Sequence, residues 1–123
     1  MIKRPVTELS DPITFTIANT ASVSDGLYLE GRIPVALGLP AAWTAAGITF
    51  QVSLDRMASW LDLYGLDGLE VTIATPAVDC CYALAAEQFL GATHLRIRSG
   101  DSAGPIAQGA ERILTLMAAK PAS

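Results

Sequence analysis

The sequence predicts an all-β domain, an antiparallel β-sandwich of jelly-roll-like build with about eight short strands. Three observations carry that expectation. From residue 13 onward apolar side chains recur at period two more often than at period 3.6. Turn-forming residues separate these alternating segments at near-regular intervals. The chain has 123 residues, 51% hydrophobic and 16% charged, a globular composition at the usual size of one domain, able to bury about two thirds of the surface of its unfolded form. Residues 1–12 read as an N-terminal arm, 13–117 as the sandwich and 118–123, with the sequence AAKPAS at the end, as a frayed tail.

In ITFTI, Ile13, Phe15 and Ile17 alternate with threonines. Leu27 and Leu29 bracket Tyr28, and Ile33, Val35 and Leu37 carry a longer segment interrupted near Gly31 and Pro34. GITFQVSLD sets Ile48, Phe50, Val52 and Leu54 on one face and Thr49, Gln51, Ser53 and Asp55 on the other, as in a strand with one buried and one solvated face. DRMASW (55–60) and YGLDG (64–68) have the length and residues of hairpin connections, and Asp67-Gly68 is the strongest turn signal because glycine accepts positive φ. LEVTI sends Leu69, Val71 and Ile73 inward until Pro76 ends it, and CYAL opens another strand. LAAEQFLG has room for one helical turn before Gly91. LRIRS then sends Leu95 and Ile97 inward, GDSAGP is a loop, and RILTLM places Leu114 and Leu116 on the core face.

The stretch THLRIRSG holds the only histidine and two arginines. Strand alternation puts His94, Arg96 and Arg98 together on the solvent side. A histidine without a placed carboxylate or nucleophile is poor support for acid-base chemistry, so no catalytic residue is expected. Arg96 and Arg98, two apart on one face, suit ion pairs across a subunit contact. Ser99-Gly100 fits neither a nucleophile elbow nor a phosphate loop. Asp55, Asp62, Asp67 and Asp79 sit near turns, where a carboxylate accepts backbone amides. Trp43, in AAWTAAG, reads as an aromatic at the edge of a core, while Trp60 lies in a hairpin connection and is equally a candidate platform for a sugar.

Composition narrows the partners. The formal charge of −4 comes with eight scattered Lys and Arg, so direct nucleic-acid binding, which needs a concentrated cationic face, is not expected. No apolar run approaches the roughly 18 to 20 residues of a membrane span, and no apolar stretch follows the basic pair of MIKRPVTELSDP as it would in a signal peptide. No membrane contact is expected. Cys80 and Cys81 are adjacent, which favours reduced thiols in a cytosol. Two cysteines and one distant histidine do not supply a zinc site, so no metal or other cofactor is expected. In the arm, Ile2 and Val6 flank Lys3, Arg4 and Pro5; this mixture cannot build a core and suits binding along another protein.

PAAWTAAGITFQVSLDR, LDLYGLDGLEVTI, LAAEQFLGATHLRIRSG and AERILTL, in this order from about Leu37 to Met117, resemble small accessory virion proteins encoded among the head genes of tailed bacteriophages and related gene transfer agents. The resemblance implies a β-sandwich that decorates or cements a capsid, or forms a head spike, with no enzymatic residues. It implies a homo-oligomer that contacts the major capsid protein or another virion protein, made in the cytoplasm of a bacterial host. Leu54-Asp55-Arg56, where that pattern favours Asp-Gly, and the Cys80-Cys81 pair depart from it. Two other readings stand beside it: a carbohydrate-binding sandwich of a virion fibre or secreted enzyme, using Trp60, Tyr64 and loop acids, and a tail or connector component.

Overall fold

The computed structural model describes residues 8–74 and 76–120. Among the described residues the fold is all-β, apart from a single 3-10 turn at Ala86–Phe89. In order the strands are β1 (Glu8–Leu9), β2 (Ile13–Ile17), β3 (Leu27–Tyr28), β4 (Ile33–Leu39), β5 (Ile48–Ser53), β6 (Leu61–Asp62), β7 (Thr72–Ile73), β8 (Cys80–Ala83), β9 (His94–Ser99) and β10 (Arg112–Lys120). They form two antiparallel sheets. In the first, β1 and β2 lie along one side of β10, β4 lies along the other, and β8 is the edge beyond β4. In the second, β9 lies between β3 and β5, and β6 and β7 share the far side of β5.

Counting β1 with β2 and β6 with β7 leaves eight strands, and their pairing is nested. The first pairs with the last (β2–β10), the second with the seventh (β3–β9), the third with the sixth (β4–β8) and the fourth with the fifth (β5–β6). The chain is thus one long hairpin rolled so that successive pairs fall in alternate sheets, which is the jelly-roll arrangement. Its core is the inner alternate set of each long strand: Phe15 and Ile17, Leu37 and Leu39, Ile48 and Phe50, Leu95 and Ile97, and Leu114 and Leu116, with Phe89 of the 3-10 turn edge-on to Phe50. Period two places these residues together because successive strand side chains point to opposite faces.

Several expectations need correction. Ala118–Lys120 are no frayed tail; they complete β10, with Ala118 and Ala119 buried. Glu8 and Leu9, assigned to the arm, pair with Lys120 and Ala119, so the sheet begins inside residues 1–12. Leu54 and Leu69 are exposed, because β5 ends at Ser53 and Leu69 lies in a projecting hairpin outside the two-residue strand β7. In β4 a register shift opposite Met117 and Ala118 leaves Val35 half-buried while Leu37 and Leu39 enter the core. Thr49 and Ser53, read as solvent-facing, are fully buried, since loops and hairpins cover that face of β5. The turn at Asp67-Gly68 forms as expected, with Gly68 at φ +78°.

Candidate interaction surface

The outer face of the second sheet carries a connected polar network that begins on β9. Strand alternation sends Arg96 and Arg98 to this face, as expected, but Arg98 is only 6% exposed. Its solvent-facing assignment is therefore wrong. Its guanidinium donates to Asp62 Oδ1 at 2.7 Å and to Glu70 Oε2 at 2.6 Å, and its Nε donates to Thr49 Oγ1 at 3.0 Å. Thr49 in turn donates to the Gly100 carbonyl. The other carboxylate oxygen of Glu70 accepts from the Ser102 amide and hydroxyl. One cation thereby ties β6, the strand returning to β7 and the loop after β9 onto the sheet. The ion pairs that Arg98 was expected to offer a partner are made within its own chain.

Arg96 sits beside this network, half-buried. Its Nε donates to Gln51 Oε1 at 2.7 Å, Gln51 donates to Asp62 at 3.0 Å, and the guanidinium stacks 4.6 Å from the Trp60 ring centroid. Desolvation, and then the neighbouring Arg98, lower the Arg96 pKa from its ordinary value. The hydrogen bond from Gln51 leads the causes that lower the Asp62 carboxyl from its ordinary value; desolvation opposes it and Arg98 assists. Asp62 is thus an ion-pair partner and no turn acid. Asp55 and Asp67 do brace turns, accepting the amides of Ser59 and Leu69 respectively.

The network positions a hairpin that the period-two reading only partly anticipated. Leu63 donates to the Phe50 carbonyl and Val71 to the Leu63 carbonyl, Tyr64 bridges Glu70, and Gly65 donates to the Leu69 carbonyl. Residues 63–71 therefore leave the open edge of the second sheet, turn at Gly65–Gly68 and return. Along this edge Leu61, Tyr64 and Leu69 are more than half exposed, and Leu66 at the tip is fully exposed. Four large apolar side chains within nine residues of one edge form a surface at which a partner would gain by excluding water. Sequence reasoning placed Leu69 in the core and missed the patch. The alternation of Leu61, Leu63, Leu69 and Val71 shows a strand pair, but not that the sheet ends there.

The remaining candidates are dispersed. His94 stacks on Tyr28, ring centroids 5.0 Å apart, and its Nδ1 lies 3.1 Å from the Thr93 hydroxyl. Trp43 packs against the core with its indole N–H on the Ala46 carbonyl, as its small-residue setting suggested. Cys80 and Cys81 are exposed free thiols on edge strand β8. Among the described residues no group of three His, Cys, Asp or Glu is placed to hold a metal ion. Ile2, Lys3, Arg4, Pro5 and Val6 lie outside the described residues. Compared with protein-family models, with curated proteins and with solved structures, the chain matches none.

Proposed function

We propose that this protein is a non-enzymatic structural protein of a tailed-phage-type virion, decorating or cementing the capsid by associating with copies of itself and with the major capsid protein. The observation that carries this reading is the clamped hairpin. Arg98, buried between Asp62 and Glu70, fixes to the sheet an edge that exposes Leu61, Tyr64, Leu66 and Leu69. A loose apolar loop collapses onto its own domain; one held out by an ion pair keeps its apolar surface for another protein. The jelly roll is an architecture used by capsid proteins, which is an analogy of fold and adds only that such a frame suits the role. The sequence resemblance to head-gene accessory proteins supplies the virion context.

The test joins light scattering with co-sedimentation. The purified protein is expected to self-associate and to sediment with heads assembled from the major capsid protein of the same genome. Leu66→Ser with Leu69→Ser should abolish both while leaving the melting temperature of the dilute protein unchanged. A protein that stays monomeric and free of heads, yet binds on a glycan array through Tyr64, would replace this reading with the carbohydrate-binding one.

A further inference from the structure

Beside the hairpin tip lies a groove of about 340 Å³ lined by Tyr64, Gly65, Leu66, Asp67, Glu87 and Gln88. It brings two distant parts of the chain together, the turn of the projecting hairpin and the 3-10 turn at Ala86–Phe89. Its chemistry is mixed: an exposed phenol and an exposed leucine supply apolar contact, and two carboxylates supply negative charge. Such a groove selects a short segment that alternates apolar and cationic side chains.

This chain contains one segment of that kind. Of its eight Lys and Arg, Arg32, Arg96, Arg98 and Arg112 already donate to groups within the domain. Arg56 and Lys120 stand singly in the sequence. Lys3-Arg4 is the only adjacent cationic pair, and Ile2 and Val6 flank it. Pro5 holds φ near the extended value and removes one amide donor, so the segment loses less entropy on lying in a groove than an unrestricted one. The segment ends at a fixed point, because Glu8 pairs with Lys120 in the first sheet. Fully extended, the residues before Glu8 reach roughly 23 to 25 Å from it.

We propose that residues 1–7 of one copy lie in the groove of the next, with Ile2 and Val6 against Tyr64 and Leu66 and the Lys3-Arg4 pair against Asp67 and Glu87. This rests on the self-association proposed above and names its contact. Arm and groove are different surfaces, so the contact is head-to-tail, and repetition generates rings or open chains of copies. The charge pairing lies at the rim of a shallow groove and weakens as salt rises.

The experiment uses the peptide MIKRPVT against a variant lacking residues 2–7, followed by amide NMR and calorimetry, with the full chain followed in parallel by light scattering. Peptide-induced shifts are expected at Tyr64, Leu66, Asp67 and Gln88. Glu87→Lys, a change at an exposed side chain, should weaken the peptide about tenfold or more by setting like charges together. A peptide with a single reversed charge, Lys3→Glu or Arg4→Glu, should recover binding to that variant, because the other cation still meets Asp67. Deletion of residues 2–7 should abolish association of the full chain. Absence of peptide binding, or shifts elsewhere, would overturn the proposal. If the deleted protein still associates, the arm contact fails while self-association stands. If the full chain stays monomeric while its own groove resists the peptide, the arm fills the groove of its own copy; exchange between copies is then overturned, and the self-association reading with it.

Discussion

At the residue scale Arg98 shows how far alternation reaches. LRIRS places it correctly on the outer face of β9, yet its burial depends on Asp62 and Glu70, which arrive from a hairpin far along the chain. Nothing local to Arg98 signals that cover; the nearest hint is the pair of carboxylates flanking the Asp67-Gly68 turn. Arg98→Ala should destabilise the fold by about 3 kcal/mol, because it leaves two partly buried carboxylates without their cation. Arg96→Ala, which loses a half-exposed stack on Trp60, should cost about 0.5 to 1 kcal/mol. Urea unfolding of the two variants checks this, and equal losses would refute the network. The pH dependence has a definite sign. The folded Asp62 carboxyl titrates lower than an ordinary aspartate, and the Ser59 hydroxyl, with further help from the Ser59 amide and the Ser53 hydroxyl, lowers Asp55 to about 2. Groups with depressed folded values contribute stability that is whole above the unfolded value and is lost as pH falls through the folded one. The urea midpoint should therefore decline from about pH 4 toward about pH 2, and less steeply in Asp62→Asn. Gln108 lay beyond sequence reasoning altogether: a glutamine in a polar loop, it is 1% exposed and joins Thr44, Ser99 and Arg112.

At the scale of elements, the long strands were legible and the short ones were not. Residues 13–17, 48–53, 94–99 and 112–117 show the period of two because the core lies on one side of each, even where loops also cover the other side of β5 and β9. The two-residue strands β1, β3, β6 and β7 carry too few letters to show a period. Their partners, and not their own sequence, decide which side chains are covered; Leu69 was misplaced for that reason, and Leu54 because β5 ends at the residue before it. The clean strands support a sharp expectation. Leu95→Ala and Ile97→Ala, each at a side chain with no exposure, should each cost about 2 to 5 kcal/mol, since the packed sheets on either side cannot close the cavity fully. Gly100 ends β9 with φ +94°, and a Cβ there would stand 2.7 Å from the Ile106 nitrogen and 2.9 Å from the Pro105 Cα. Gly100→Ala should therefore destabilise by more than the roughly 1 kcal/mol of an unfavourable φ alone, because the obstructing atoms are backbone. Chemical denaturation of these variants measures both effects, and a neutral Gly100→Ala would show that the 101–105 loop yields.

At the scale of the whole molecule, period two and turn spacing established two layers, while the nested pairing that makes the roll is set by contacts between the first and last strands. Those contacts, Arg112 opposite Ile17 through Leu116 opposite Ile13, join residues that no window of sequence compares. The same rolling leaves β6 and β7 at an open edge, and so decides that the hairpin of residues 63–71 projects instead of being enclosed. An edge held open in this way makes stability depend on concentration if copies meet there. Association binds the folded form and not the unfolded one, so above the dissociation constant each tenfold rise in protein concentration should add on the order of 1 kcal/mol per copy. For a domain of this size that raises the melting temperature by roughly 3 to 5 °C per tenfold. Calorimetric scans over two decades of concentration should show this slope for the native chain. Leu66→Ser with Leu69→Ser should melt at one temperature throughout, equal to that of the native chain at its most dilute. Both side chains are exposed, so their loss costs the isolated domain little. A flat response in the native chain would mean that the projecting edge holds no second copy.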